Sequence, residues 1–215
     1  MSTPNPIVYV VEDDAGSRAL VQALAQSIGV ACKPFATAAS FLERYDPRQP
    51  GCVVLDLFMP GMSGFELQEE LNRRGAVIPV IFITGHADVA SAVAAVRHGA
   101  FNYLQKPFRN SELIDSMRQA LDFDRRNREM LAQHDAIRNR IGLLTARERE
   151  VLQLIVRGLA NKVMAAEMGL SKRTVELHRS RVMDKMGASS IAQLVRMFMD
   201  FERRTAETAA NGNRG

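Results

Sequence analysis

The sequence predicts a doubly wound α/β domain with a five-stranded parallel sheet, followed by a small all-α domain, with a long helical linker between them. Two observations support this. Apolar runs alternate with segments of helical periodicity through the first 110 residues, and short helical segments ended by glycine follow residue 142. Regular strand–helix alternation gives a parallel sheet with helices on both faces, because each crossover packs a helix back onto the sheet.

Five short apolar runs supply the strands of the predicted sheet. They cover residues 7–11, 31–35, 52–56, 79–84 and 102–105. Strands that are apolar throughout are buried on both faces, as parallel sheets require. The spacing of apolar residues predicts helices at 18–28, 38–45, 64–73 and 89–98, and a fifth helix that starts near Ser111.

Four segments follow along the chain. We expect an α/β domain at 5–123, a helical linker at 124–142, a helical domain at 143–205 and a disordered tail at 206–215. The tail is small and polar, which is typical of disordered termini. The linker predicts either one long exposed helix or two helices with a hinge near Asn127. It is either a solvated connection or a partner helix for a second copy, since its heptad pattern is broken at Asp124 and Arg128.

Composition excludes several classes of protein. The chain has 215 residues, of which 47% are hydrophobic and 24% charged, and no apolar run approaches the ~20 residues of a membrane span. The first residues, MSTPNPIVYVVEDD, contain no basic region and do not resemble a signal peptide. The two cysteines, Cys32 and Cys52, form no C-x-x-C pair, so we expect neither a disulfide framework nor a Cys-rich metal site. We therefore expect a cytoplasmic protein without a membrane partner.

The excess positive charge is concentrated in the last third of the chain. Residues 1–110 carry 9 Lys and Arg against 10 Asp and Glu, and residues 111–142 carry 6 against 6. Residues 143–215 carry 13 against 8, a net charge of +5. This distribution predicts an anionic partner for the C-terminal domain alone.

Polar side chains lie where the predicted strands end. Glu12 and Asp13 follow the first strand, Asp56 ends the third, Thr84 ends the fourth and Lys106 follows the fifth. The carboxyl ends of parallel strands meet at one edge, where ligands of such sheets bind. Carboxylates packed together repel, so one stays protonated or a cation joins them. Oxygen ligands without thiolates favour Mg²⁺, for which Mn²⁺ could substitute.

The groups at this edge predict phosphoryl chemistry. A carboxylate such as Asp56, beside a cation, an ammonium and a hydroxyl, is equipped to attack a phosphoryl group, while the cation and Lys106 offset the oxygen charge that develops. The turn at Pro60-Gly61 lets the backbone bend around the site. For any single acid, capping of a helix is the better explanation. Capping does not account for polar residues at five positions that end four strands.

The segment from Ser171 to Lys185 predicts a DNA-reading helix. Val175, Val182 and Met186 repeat at helical spacing and should face the core. The face expected to enter the major groove carries Arg173, Glu176, Leu177 and Ser180. The residues expected to reach the flanking phosphates are Lys172, Thr174, His178, Arg179, Arg181 and Lys185. With the preceding helix this would form a helix-turn-helix, whereas a solvated basic helix is the alternative.

The N-terminal residues resemble the receiver domain of two-component response regulators, over about residues 5–123. The motifs that carry the resemblance are Glu12-Asp13, the stretch DLFMPGMSG from Asp56, Thr84-Gly85-His86 and Lys106-Pro107-Phe108. The resemblance implies that Asp56 accepts phosphate from a cognate sensor histidine kinase. It also implies that Thr84 and Tyr103 form a switch pair, and that the Lys106-Pro107 peptide bond is cis.

The same resemblance implies a ligand set for Mg²⁺. Asp13, Asp56 and the main-chain carbonyl of Phe58 would bind the ion, and Glu12 would assist through water. The family more often has Asp where Glu12 stands, which is a departure from its pattern. After phosphorylation we expect a homodimer through the face of the fourth helix and fifth strand, with Val93 and Arg97 as exposed candidates.

The C-terminal residues, about 143–205, look like the LuxR-type helix-turn-helix. Together the two domains resemble the NarL/FixJ class of response regulators, and within it the FixJ type. The resemblance implies transcription regulation at promoter DNA, with RNA polymerase as a further candidate partner. In that class base contacts commonly come from positions that match Glu176, Leu177 and Ser180.

Two other functions are weighed against this one. A free-standing aspartyl-phosphate phosphatase would want a second aspartate two residues after the nucleophile, where Phe58 stands. A receiver without DNA output would bind a protein partner instead, but the basic C-terminal domain argues against it. We therefore expect a regulator and not an enzyme.

Overall fold

Contacts among the described residues divide the chain into two units, with the boundary between Glu129 and Met130. The structure is a computed structural model that describes residues 4–85 and 89–212. His86, one of the motif residues, lies outside the described residues. No helix in those described ranges has the length and apolar character needed to cross a membrane.

The N-terminal unit is built on a parallel sheet, as the sequence predicts. Its strands are β1 (Ile7–Val11), β2 (Ala31–Phe35), β3 (Gly51–Asp56), β4 (Val80–Thr84) and β5 (Asn102–Gln105), in the order β2-β1-β3-β4-β5. The helices are α1 (Ala15–Ser27), α2 (Ala38–Arg44), α3 (Gly64–Arg73), α4 (Val89–Arg97) and α5 (Asn110–Gly142). The doubly wound α/β fold class is therefore confirmed.

Apolar side chains on the two faces of the sheet form two separate cores. Every residue of β3 is buried. On one face Leu55 packs in a cluster with Tyr9 and Phe82. On the other, Val54 packs with Ile83 and with helix α5. Burial on both faces explains why these strands lack the apolar–polar alternation of a half-exposed sheet.

The C-terminal unit is all-helical and follows the capping signals of the sequence. Its helices after α5 are α6 (Ala146–Val156), α7 (Asn161–Met168), α8 (Lys172–Met186) and α9 (Ile191–Gly212). Thr145 and Glu148 form the predicted capping box of α6. Ser171 caps the N-terminus of α8. Val175, Val182 and Met186 are fully buried in the core of this unit, as predicted.

Lys185 closes the capping box of α6 from the opposite side. Its ammonium lies 2.6 Å from Oε2 of Glu148 and donates to the carbonyl of Leu143 at 3.1 Å. The Glu148 side chain is only 3% exposed. Hydrogen bonds from Lys185 and from the Thr145 N–H lower the pKa of Glu148 to about 2. This buried pair joins α6 to the end of α8.

Helix α5 contributes residues to both units, so the predicted linker at 124–142 does not form a separate segment. In the N-terminal unit, buried Asp124 accepts a hydrogen bond from the Gly51 N–H at 2.9 Å and pairs with Nε of Arg128 at 2.8 Å. The Arg128 guanidinium donates to the carbonyls of Pro47 and Gln49. These two residues break the heptad pattern because they pair with the loop before β3.

The C-terminal part of α5 packs within the second unit. The ring of His134 stacks on Phe201 of α9, with centroids 4.7 Å apart. Ile137 and Ile141 pack against the core of that unit. Helix α9 runs to Gly212. The prediction of a disordered tail from residue 206 was therefore wrong for residues 206–212. Ala206 and Glu207 are strong helix formers, and they continue the helix past the contacts of Phe201.

Loss of Arg128 should destabilise the N-terminal unit. We expect Arg128→Ala to lower the free energy of unfolding by about 3 kcal/mol, because it leaves the buried Asp124 carboxylate without its cation. Arg125→Ala is the matched control, since its exposed pairs with Asp122 and Glu129 contribute roughly 0.5 kcal/mol. Urea unfolding measures both. Equal losses in the two variants would contradict the role of the buried pair.

The stability of the C-terminal unit should fall in acid because of Glu148. Its folded pKa lies below the usual value, so the carboxylate contributes stability above about pH 4.5, and this is lost as the pH falls toward 2. We expect Glu148→Gln to lower the melting temperature at pH 7 and to flatten its decline between pH 5 and pH 3. Scanning calorimetry measures this, with Glu150→Gln, from the exposed pair with Arg147, as control. An unchanged pH profile in Glu148→Gln would count against the pair.

Candidate functional site

Three carboxylates converge at the carboxyl edge of the sheet. Strands β1 and β3 are neighbours, with Val11 in register with Leu55, so the residues that follow them end at the same level. Oxygens of Glu12, Asp13 and Asp56 all lie within 4.8 Å of one another. Glu12 and Asp56 are buried, whereas Asp13 is exposed. The convergence expected from the strand ends is therefore present.

Lys106 pairs more closely with Glu12 than with Asp56. Its Nζ lies 2.6 Å from Oε2 of Glu12 and 3.7 Å from Oδ2 of Asp56. Burial raises the pKa of Glu12, and the charge of Asp56 acts in the same direction, while the hydrogen bond from Lys106 opposes both. The Lys106–Pro107 bond is cis, as the resemblance implies. The longer side chain of Glu, where the family more often has Asp, reaches the ammonium directly.

One oxygen of Asp56 is buried without a hydrogen-bond partner among the described residues. This atom is Oδ1, and a buried carboxylate oxygen left unbonded is costly. Three carboxylates with one ammonium also leave the pocket short of positive charge. Both observations fit a hard divalent cation such as Mg²⁺, which prefers oxygen ligands. Phe58 lies in the turn after β3, and the resemblance to receiver domains implies that its main-chain carbonyl is a further ligand.

Thr84 and Tyr103 lie on the neighbouring strands β4 and β5. Thr84 is fully buried at the end of β4. The hydroxyl oxygen of Tyr103 is shielded from solvent, and its ring packs against the core cluster that contains Phe82. The residues predicted for the dimer face lie on α4. Val93 is 47% exposed and Arg97 is also exposed, and the neighbouring Val96 is 75% exposed.

Two residues support the acidic pocket in roles that the sequence did not assign to them. Arg18 donates from Nη1 to the carbonyls of Glu12 and Asp13 at 2.7 and 2.9 Å, which fixes the acidic turn. Gly64 starts α3 where an added Cβ would lie 2.5 Å from the carbonyl oxygen of Asp56. Only glycine permits this approach of α3 to the end of β3. Arg18 carries no motif that signals its role, whereas Gly64 ends the DLFMPGMSG motif, which is the signal that could have identified it.

Helix α8 presents its predicted base-reading face to solvent. The exposed residues among the predicted contacts are Lys172, Arg173, Glu176, Leu177, Ser180 and Arg181. Thr174, His178 and Arg179 are half-buried. The Glu176 carboxylate lies 3.4 Å from Nδ2 of Asn161 and 3.7 Å from Nζ of Lys172. Arg179 contacts the sulfur of Met164 at 3.8 Å, in the core of the unit.

The structure gives Lys185 another role than the phosphate contact predicted for it. Its ammonium is held by Glu148 and the carbonyl of Leu143, so binding a phosphate would break a buried ion pair. The phosphate contact of Lys185 stays a prediction, and it would require the ammonium to leave Glu148. The positive charges of Arg173 and Arg181 remain on the exposed surface of α8.

Comparison with known proteins matches both units. The family model for the response regulator receiver domain matches residues 8–118, and that for bacterial regulatory proteins of the luxR family matches residues 142–198. The chain is 45% identical over 193 residues to the transcriptional regulatory protein FixJ of Azorhizobium caulinodans, covering 88% of this chain and 90% of that protein. It is 42% identical over 191 residues to nodulation protein W of Bradyrhizobium diazoefficiens, covering 89% and 84%.

A solved structure is similar over most of the chain. The response regulator StyR superposes with a TM-score of 0.84 at 41% identity, covering 91% of this chain and 98% of that one. Receiver and luxR-family matches in one chain, with relatives of this identity, show the family. The chain belongs to the two-component response regulators of the NarL/FixJ class, in which a receiver domain precedes a LuxR-type helix-turn-helix domain.

Proposed function

We propose that the protein is a DNA-binding transcriptional regulator that is switched by phosphorylation of Asp56 by a partner histidine kinase. The observation that supports this most is the buried, unbonded Oδ1 of Asp56 at the centre of a pocket with two further carboxylates and one ammonium. A carboxylate held this way is a nucleophile with no competing hydrogen bond on that oxygen. A purely structural acid would be satisfied by a cap or an ion pair.

The phosphoryl transfer uses groups already in place. An oxygen of Asp56 attacks phosphorus, the bond from phosphorus to the donor breaks with its electron pair leaving on the donor, and an acyl phosphate forms. Lys106 is 3.7 Å from the attacking carboxylate, near enough to offset charge on the phosphoryl oxygens once its bond to Glu12 loosens. The Thr84 hydroxyl, at the end of β4, would bond a phosphoryl oxygen.

Mg²⁺ would be held by Asp13, Asp56 and the carbonyl of Phe58, with Glu12 acting through water. When bound, it supplies positive charge that screens the carboxylates from the incoming phosphoryl group. When Glu12 acts through water, it would loosen its 2.6 Å contact with Lys106 and free that ammonium for the phosphoryl group. Mn²⁺, which also accepts oxygen ligands, could substitute.

The phosphoryl group would act by shifting a population. The modification would favour one of two arrangements of Thr84 and Tyr103 that the protein can reach. Through Thr84 it would stabilise the covered Tyr103 and the position of α4. The exposed Val93, Val96 and Arg97 would then pair with a second copy, which buries two apolar side chains that are otherwise in water.

The dimer would bring two α8 helices to promoter DNA. One such domain has a small interface, so its affinity alone is modest. Two joined copies gain from effective concentration and favour two half-sites arranged as an inverted repeat. Contact with RNA polymerase and a cytoplasmic location stay predictions from the sequence.

Asp56 should be the phosphoacceptor. Incubation with acetyl phosphate and Mg²⁺ should add one phosphoryl mass to the intact chain, and Asp56→Ala should remove the adduct because no other pocket carboxylate has a free buried oxygen among the described residues. Asp13→Ala should weaken Mg²⁺ binding but keep the acceptor. Intact mass spectrometry and Mg²⁺ titration measure the two effects. A full adduct in Asp56→Ala would contradict the assignment.

Phosphorylation should cause dimerisation through α4. With beryllofluoride and Mg²⁺ as phosphoryl mimic, the full chain should sediment as a dimer at micromolar concentration, and Val96→Asp should return it to monomer by placing a charge in the apolar contact. Glu70→Gln on α3 serves as control. Equal masses with and without the mimic would rule out the proposed dimer switch.

Base and phosphate contacts of α8 should separate by mutation. Arg181→Ala should weaken binding to all duplexes and flatten the salt slope by about one unit. Glu176→Ala should relax preference at one base pair by roughly 1–3 kcal/mol. Binding titrations over a set of mutated duplexes at several salt concentrations measure both. If Glu176→Ala lowered affinity evenly across the set, Glu176 would instead be a partner of Lys172 and Asn161.

A further inference from the structure

The C-terminal end of α4 is held against α3 by His98. The imidazole of His98 stacks on Phe65, with centroids 5.1 Å apart and planes 28° from parallel. Its Nδ1 lies 3.4 Å from Oε1 of Glu69, one turn further along α3. The side-chain amide of Asn72 also donates to the carbonyl of His98 at 3.4 Å. We call Phe65, Glu69 and His98 the α3–α4 clasp.

The clasp lies next to the apolar cluster against which Tyr103 packs. Phe65 meets Phe82 of β4 edge-to-face, with centroids 5.1 Å apart. Phe82 is in register with Tyr103 of β5, so the two side chains lie on the same face of the sheet. Tyr103 packs against the cluster to which Phe82 belongs. Packed rings therefore connect His98, through Phe65 and Phe82, to the cluster against which Tyr103 packs.

We propose that the α3–α4 clasp is a positioning device for the phosphorylation switch, which holds α4 in the arrangement that accompanies a covered Tyr103. The inference rests on the proposed function, because it concerns how α4 responds to Asp56. The clasp is closed in the same structure in which the Tyr103 hydroxyl is shielded. The two features therefore coexist in one arrangement of α4, and the clasp raises the population of that arrangement by as much as it is weaker in the other.

The position of the clasp suits a switch better than a purely structural contact. The side chains of His98 and Glu69 are 32% and 63% exposed, and exposed pairs add little to the stability of a fold. Two conformations of a regulatory helix differ by only a few kcal/mol, so a small contact at its end changes their ratio measurably. Val96 and Arg97, which we propose to face a second copy, immediately precede His98.

The test measures how far a phosphoryl mimic drives dimerisation. Sedimentation equilibrium of the full chain with beryllofluoride and Mg²⁺ gives the dimer dissociation constant. We expect His98→Ala to raise that constant about three- to tenfold, the effect typical of losing one aromatic pair. Acetyl phosphate should still modify Asp56 fully in this variant, since the clasp touches none of the pocket residues.

Two milder variants separate the stack from the ion pair. His98→Phe keeps a ring on Phe65, and Glu69→Gln keeps the stack, so each should raise the dissociation constant by about twofold. Glu70→Gln, which removes pairs to Arg73 and Arg74 elsewhere on α3, should leave it unchanged. If His98→Ala does not fold, these milder variants carry the test.

Hydrogen exchange provides a readout that does not depend on dimerisation. The amides of His98 and Ala100 donate to Ala94 and Ala95 at 2.9 Å, and they should exchange faster in His98→Ala than in the wild type. A folded His98→Ala with wild-type exchange and a wild-type dissociation constant overturns the clasp. A wild-type chain that binds beryllofluoride but stays monomeric, while His98→Ala exchanges faster, overturns the dimer switch and with it the role of the clasp, although the contact itself stands.

Discussion

The crowding of three carboxylates around a single ammonium is the constraint on which the receiver depends. Oxygens of Glu12, Asp13 and Asp56 lie within 4.8 Å of one another, and the ammonium of Lys106 is shared unequally between two of them. Like charges at this distance repel strongly in a partly buried site. Three features keep the carboxylates together. They are the pairing of β1 with β3, the hydrogen bonds from Arg18 to the acidic turn, and the close approach of α3 at Gly64. The rest of the fold therefore maintains a pocket that gains stability from a cation or a new bond at Asp56.

The C-terminal unit shows how the same chain separates stability from contact with a partner. Its buried polar chemistry, the pair of Glu148 with Lys185, ties α6 to α8. Other side chains of α8, those of Arg173, Glu176 and Arg181, are exposed to solvent. Helix α8 is basic, most of its charges are exposed, and it is capped by Ser171 and Gly187. Such a helix is suited to dock in a groove without refolding. Rigid presentation lowers the entropy cost of binding.

Local patterns in the sequence were sufficient for the sheet, the helix caps and the residues of the acidic pocket. The apolar runs and the strand-end acids are local signals, and the bounds of α3 and β5 coincide with those predicted. What could not be predicted depends on contacts distant in sequence. Asp124 bonds the backbone of Gly51, 73 residues away, and Lys185 pairs with Glu148, 37 residues away. The tail beyond residue 205 was taken as disordered from its small residues, although alanine also favours a helix.

In the proposed mechanism, modification of Asp56 controls DNA binding by helix α8 of the other unit. The direct measurement is the dissociation constant of the full chain for an inverted-repeat duplex, selected from random sequences, with and without beryllofluoride and Mg²⁺. The proposed mechanism predicts that the mimic tightens binding at least about tenfold in the wild type, because two half-sites are then engaged together, and leaves Asp56→Asn unchanged. Equal affinities in the wild type with and without the mimic, or the same gain in Asp56→Asn, would contradict it.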